Sequence, residues 1–162
     1  TRLKFYEQRR VFGLIPGLAN AEFLRYGVMH RNTYLNAPKL LNEYYQLKER
    51  QNIYFAGQIT GVEGYVESTS SGLLCGIFAA CDVLEYTYPD FTQMTAIGAL
   101  AQYISHSFTK NFQPMNINFG ILAPNDVKIK DKATAKEALS QRALTHIERL
   151  KTQSEVLRSE HV

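Results

Sequence analysis

The sequence predicts an α/β chain, and three observations predict it. The apolar run Ile53, Tyr54, Phe55, Ala56 stops at Gly57, as a buried strand does when it enters a turn. From about Gly64 to Leu84 small residues recur at Ser68, Gly72, Gly76 and Ala79 or Ala80. A spacing near four puts them on one nearly smooth helix face, which can sit close to a sheet. Beyond Pro89, Ala96, Ala99, Leu100, Tyr103 and Ile104 fall at helical spacing, as do Leu139, Ala143, Ile147 and Leu150 on a terminal helix.

The remaining elements follow in chain order. LKFYEQRRVFGLIPG alternates enough at Leu3, Phe5, Val11, Phe12, Leu14 and Ile15 to predict one or two strands, closed by a Pro16-Gly17 turn. The pair Ala37-Pro38 predicts extended backbone at Ala37, because the proline ring crowds the residue before it. The 96–104 helix has Thr92 or Thr95 as its cap. FQPMNINFGILAP alternates Met115, Ile117, Phe119 and Ile121 with Asn116 and Asn118, and suits a strand or an ordered loop. Thr134 to Glu137 has capping-box spacing at the head of the terminal helix.

Composition narrows the class. The chain has 162 residues, 45% hydrophobic and 20% charged, which is enough for one sizeable core and excludes disorder by composition. One domain is expected, two at most. No apolar stretch reaches the roughly 18 residues of a membrane span, and TRLKFYEQRR lacks the order of a secretory signal, so a soluble, cytoplasmic protein is expected. Cys75 and Cys81 stand six apart on one predicted helix and face away from each other, which predicts reduced, buried thiols. The sequence opens at Thr1 inside a strand-like stretch and reads as a fragment. Charge is uneven: residues 1–50 hold nine Lys/Arg against four Asp/Glu, and residues 51–162 nine against eleven. The basic part interleaves Arg9, Arg10, Arg25, Arg31, Lys39, Lys48 and Arg50 with Tyr26, Tyr34, Tyr44 and Tyr45, a mixture that suits nucleic acid or a solvated basic face.

The motif inventory removes several chemistries. There is no metal-spaced Cys/His cluster, no G-x-S-x-G elbow and no P-loop. His146 and His161 are expected in solvent, whereas His30 stands among polar groups in MHRNTY. The glycines at 57, 61 and 64 are spaced three then two and do not form a dinucleotide fingerprint. They mark another kind of strand-to-helix junction. Gly61 and Gly64 let backbone approach a flat ring, and the open N–H groups of the helix start would face the N1 and C2 oxygen of a reduced isoalloxazine. Spacing alone serves a plain tight turn equally well.

FAGQITGVEGYVES followed by SGLLCGIFAA resembles the flavin-contacting signature of the bacterial folate- and FAD-dependent tRNA (uracil-5-)-methyltransferases, relatives of the glucose-inhibited division proteins. QRRVF, IPGLANAEF, RYGVMHRNTYLNAPKLL and FQPMNINFG are similar to that family in the same order, so the resemblance covers nearly the whole chain. It implies transfer of a one-carbon unit from methylenetetrahydrofolate to C5 of a T-loop uridine in tRNA, with FAD as reductant and NAD(P)H as electron source. No membrane partner is implied. A relative acting on ribosomal RNA, or a non-catalytic RNA-binding module, would carry the same residues.

The resemblance also implies roles. Gly57, Gln58, Thr60, Gly61, Val62, Gly64 and Tyr65 would line the isoalloxazine. His30, Arg31, Asn32 and Thr33 would form the pocket over the flavin, with His30 stacking on the pterin. Arg9, Arg10 and Arg25 would face RNA, on charge alone. The family's FAD fingerprint and nucleophilic cysteine are expected outside this chain, so no catalytic residue is expected in it. The implied architecture is the C-terminal part of a two-domain α/β flavoprotein. Residues 1–50 would belong to the substrate region and its connection, 51–90 to the last strand and helix of the FAD-binding domain, and 91–162 to a C-terminal helical region.

Overall fold

The computed structural model describes residues 3–27, 32–106 and 112–158. The chain divides into two compact units, 1–33 and 34–162. It mixes helices with one small antiparallel sheet.

In the first unit the expected strands give way to helix α1, Phe5–Phe12. Helical spacing explains the change: Phe5, Gln8 and Phe12 lie three and four apart, and Glu, Gln and Arg fill the turns between them. Gln8 is 2% exposed. Its amide donates to the Leu3 carbonyl at 2.8 Å and accepts from the Gly27 N–H at 3.1 Å, which pins the helix to the chain returning beneath it. Pro16-Gly17 makes the expected turn, with Gly17 at φ 87° and Leu18 N–H on the Ile15 carbonyl at 2.9 Å.

In the second unit Ala37 is not extended. It opens a one-turn helix, α2 (Ala37–Leu40), whose first turn accommodates Pro38 because an N–H there would lack a partner anyway. Strands β1 (Gln46–Leu47) and β2 (Arg50–Tyr54) form a hairpin, pairing Gln46 with Tyr54 and Leu47 with Arg50. The expected buried strand over 53–56 is therefore corrected. Arg50, Gln51 and Asn52 are exposed on this ribbon, Ile53 and Tyr54 are half-buried, and Phe55 and Ala56 lie beyond its end.

Helix α3, Tyr65–Leu84, forms where the small-residue pattern placed it. It buries Ser71, Leu74, Cys75, Phe78 and Cys81. The glycine face is open instead: a Cβ at Gly72 or Gly76 would meet nothing within 4 Å. Helix α4, Ala96–His106, is capped by Thr95, whose hydroxyl accepts the Gly98 N–H at 3.0 Å. Helix α5, Lys132–Gln153, starts one turn before the predicted capping box, because the Asp131 carboxylate takes the Thr134 N–H at 2.8 Å. The stretch FQPMNINFGILAP is a loop with one parallel bridge, Met115 to Val62. The core gathers Leu41, Tyr45, Val62, Leu74, Phe78, Leu100, Ile104 and Phe112, sealed by Leu150 from α5.

Candidate functional site

The glycine junction lies between β2 and α3. Gly57–Thr60 form one 3₁₀ turn, closed by Gly61 at φ 91°, and Gly64 at φ 94° caps α3. Only glycine reaches those angles cheaply, so the spacing records backbone geometry. The Thr60 hydroxyl donates to the Gly57 carbonyl at 2.8 Å, and the Ser71 hydroxyl accepts the Gly57 N–H at 2.7 Å. From the other side the 112–118 loop is stitched on: Met115 N–H meets the Gly61 carbonyl at 3.0 Å, and Glu63 N–H meets the Met115 carbonyl at 3.1 Å.

This stitching divides the residues assigned to the ring. Thr60 and Val62 are fully buried, and Gly61 lies under the Phe112 ring, so these three present no free side-chain surface. Gln58 is exposed, and Tyr65 is 95% exposed at the head of α3. Gly57 is half-buried and Gly64 exposed. The helix start is not open as expected. The Glu67 carboxylate accepts from its own N–H, from the Ile117 N–H at 3.3 Å and from the Asn116 amide at 3.4 Å. These bonds, its own N–H foremost, hold its pKa below the usual carboxylate range.

A second polar constellation escaped the sequence reading. Tyr54 and Tyr88 both donate to the Asp82 carboxylate, and the Gln46 amide donates to the Tyr88 hydroxyl at 2.9 Å, the Tyr54 hydroxyl at 3.0 Å and Asp82 at 3.2 Å. The tyrosine hydroxyls, Tyr54 first, push the Asp82 pKa down. Burial, followed by the Asp82 bond, pushes both tyrosines up. The partners stand up to 42 residues apart, and no local pattern announces them. This network ties β1, β2 and the 85–90 segment to α3.

Arg9, Arg10 and Arg25 are exposed, with Arg10 held by Glu7 at 2.6 Å. His30 and Arg31 lie outside the described residues, while Asn32 is half-buried and Thr33 exposed. His146 is not simply solvated: its Nε2 lies 2.8 Å from the Asp90 carbonyl. Cys75 and Cys81 are free and buried, and burial pushes the Cys75 thiol up to about 11. Neither is a ready nucleophile. Among the described residues no helix is long and apolar enough to cross a membrane, and no group of three His, Cys, Asp or Glu could hold a metal ion.

Comparison with known proteins agrees with the junction's sequence. The chain is 61% identical over 144 residues to methylenetetrahydrofolate–tRNA-(uracil-5-)-methyltransferase TrmFO of Acetivibrio thermocellus, covering 89% of this chain and 33% of that protein. It is 55% identical over 150 residues to the Listeria monocytogenes protein of the same name, covering 93% and 35%. For the Streptococcus pneumoniae protein the figures are 53% over 153 residues, 94% and 34%. The chain thus spans about a third of the length of these relatives. The family model for glucose inhibited division protein A matches residues 1–87, from before α1 to just past the end of α3 and including the whole glycine junction, so the chain belongs to the glucose inhibited division protein A family.

Proposed function

We propose that this chain is the flavin- and RNA-contacting part of a methylenetetrahydrofolate-dependent tRNA (uracil-5-)-methyltransferase. The observation that carries the reading is the exposed Tyr65 ring at the head of α3. Tyr65 is 95% exposed beside side-chain-free Gly64, within a sequence 53–61% identical to enzymes of that name. In this reading a flat ring system lies against Tyr65, with Gln58 and Ile59, both exposed on the preceding turn, as further contacts. Gly57 offers backbone. Thr60, Gly61 and Val62 support the turn from within.

Reduced FAD supplies, when bound, the reducing equivalents that turn a methylene into a methyl group. The chain's own residues orient and exclude water: the Tyr65 ring covers one face, and the Glu67-held 112–118 loop fixes the helix start beneath it. His30, Arg31, Asn32 and Thr33 take the folate side, and Arg9, Arg10 and Arg25 the RNA phosphates. NAD(P)H serves as electron source, and the cytoplasm as compartment. In this reading residues 51–90 end a flavin domain, with substrate-region chain before them and a helical region after.

The test is the visible spectrum of the protein as its gene encodes it, followed by assay of 5-methyluridine in tRNA supplied with methylenetetrahydrofolate. Bound flavin and tRNA methylation are expected. A flavin-free protein without methyl transfer would remove the reading.

A further inference from the structure

The first unit carries a stack of aromatic rings with one open end. Phe12, Phe23, Tyr26 and Phe5 follow one another with centroids 6.1, 5.4 and 6.3 Å apart and planes 28°, 23° and 25° from parallel. Phe12, Phe23 and Tyr26 are half-buried, whereas Phe5 at the far end is 65% exposed. Its neighbour Tyr6 is 68% exposed and has no ring partner among the described residues. The ladder therefore ends in an aromatic face turned to water.

The charge of this unit is predominantly positive. Residues 1–33 hold six Lys/Arg against two Asp/Glu, and Lys4, Arg9 and Arg10 are exposed on or beside α1. Glu7 engages Arg10. Arg9, four residues after Phe5 and so on the same helix face, has no ion pair among the described residues. Open rings beside unpaired cations match single-stranded nucleic acid, whose bases stack on rings while its phosphates pair with arginine. An apolar protein partner would not explain the unpaired cations.

We infer that Phe5 stacks an unpaired base of the RNA substrate, extending the Phe12–Phe23–Tyr26–Phe5 ladder by one member, with Arg9 on an adjoining phosphate. The inference rests on the RNA reading above and assigns it a stacking residue. Lys4 and Arg10 add charge without geometry.

Binding of tRNA by fluorescence anisotropy tests it, using the protein as its gene encodes it and the variants Phe5→Ala, Phe5→Leu, Phe5→Trp and Arg9→Gln. Phe5→Ala and Phe5→Leu are expected to weaken binding roughly 5- to 150-fold, the range of one base–ring stack. Phe5→Trp should hold affinity within about twofold, because an indole also offers a flat face. Arg9→Gln should weaken binding and lower the slope of log affinity against log salt by about one. Flavin content should stay at the wild-type value in all four and melting temperature in Phe5→Trp and Arg9→Gln, whereas Phe5→Ala and Phe5→Leu, which lose the Tyr26 stack, should melt slightly lower while remaining folded at the assay temperature. Wild-type affinity in Phe5→Ala or recovery by Phe5→Leu would overturn the stacking role. If only Arg9→Gln weakens binding, the RNA reading stands and stacking falls. A wild-type protein that binds no tRNA overturns both.

Discussion

The ring of Phe112 fills the volume that any side chain at Gly61 would need. A Cβ built on Gly61 would come within 2.4 Å of Cζ and 2.5 Å of Cε1. Phe112 is itself held, edge-on to Tyr34 at 6.1 Å and tilted against Tyr103 at 5.8 Å, so it has little room to swing away. The flat ring that Gly61 admits within this chain is the protein's own. The junction's backbone is thus packed from the inside, Gly64 is crowded by Glu67 and Asn116, and the Tyr65 ring stands exposed on the outside.

Gly61→Val should accordingly destabilise the fold by two routes. The left-handed angle of 91° costs a branched residue on the order of 1–3 kcal/mol, and the displaced ring adds to it. Pairing the substitution with Phe112→Ala should cost less than the sum of the two single losses, since the clash goes while the backbone strain and the lost core ring stay. Calorimetry on the two single variants and the double variant checks this. Strictly additive losses would mean that the ring and the glycine do not share that space.

The sequence made the helices legible where their pattern was long. α3, α4 and α5 each run three turns or more, so the repeat of Ser68, Gly72 and Gly76, or of Leu100 and Ile104, outweighs any local accident, although in α3 it marks the open face and not the packed one. It misread short segments, where two periods fit equally well. Phe5 and Phe12 suit an alternating strand until Gln8, a polar residue, turns out to be the buried one. The Ile53–Ala56 run looked like an interior strand because apolar side chains can be half-covered by α3 and the aromatic cluster without any sheet around them. At the site, glycine positions with positive φ could be read from spacing. The groups filling the space around Gly61 and Gly64 could not, because Phe112 and Asn116 come from a loop about 50 residues later.

Asp82 should make stability depend on acid. Its folded pKa is depressed by the Tyr54 and Tyr88 hydroxyls and the Gln46 amide, so its contribution is complete above the unfolded value near 3.9 and is lost as pH falls through the folded one. Asp82→Asn should lower the melting temperature at neutral pH and flatten its decline below about pH 4. Melting curves from pH 7 downward provide the comparison. Parallel curves for the two proteins would exclude Asp82 from the linkage.

The two cysteines should behave as packing groups. Cys75 is 8% exposed and donates its Sγ–H to the Phe55 carbonyl at 3.4 Å, and Cys81 is 0% exposed. With the Cys75 thiol up to about 11, almost no thiolate exists at pH 8. A chromogenic disulfide reagent should leave both unmodified in the native chain and titrate both in denaturant. Rapid reaction of one native thiol would contradict the buried placement.

The measurement that bears most directly on the proposed flavin contact is the ratio of bound flavin to protein in Tyr65→Ala, set beside Val83→Ala. The two residues are 95% and 82% exposed at opposite ends of the same helix, so neither truncation removes a buried contact. Tyr65→Ala should lose flavin several-fold at an unchanged melting temperature, because the ring that covers the cofactor is gone, whereas Val83→Ala should retain the wild-type ratio. Full flavin in Tyr65→Ala, or equal losses in the two variants, would contradict the placement of the cofactor at the head of α3.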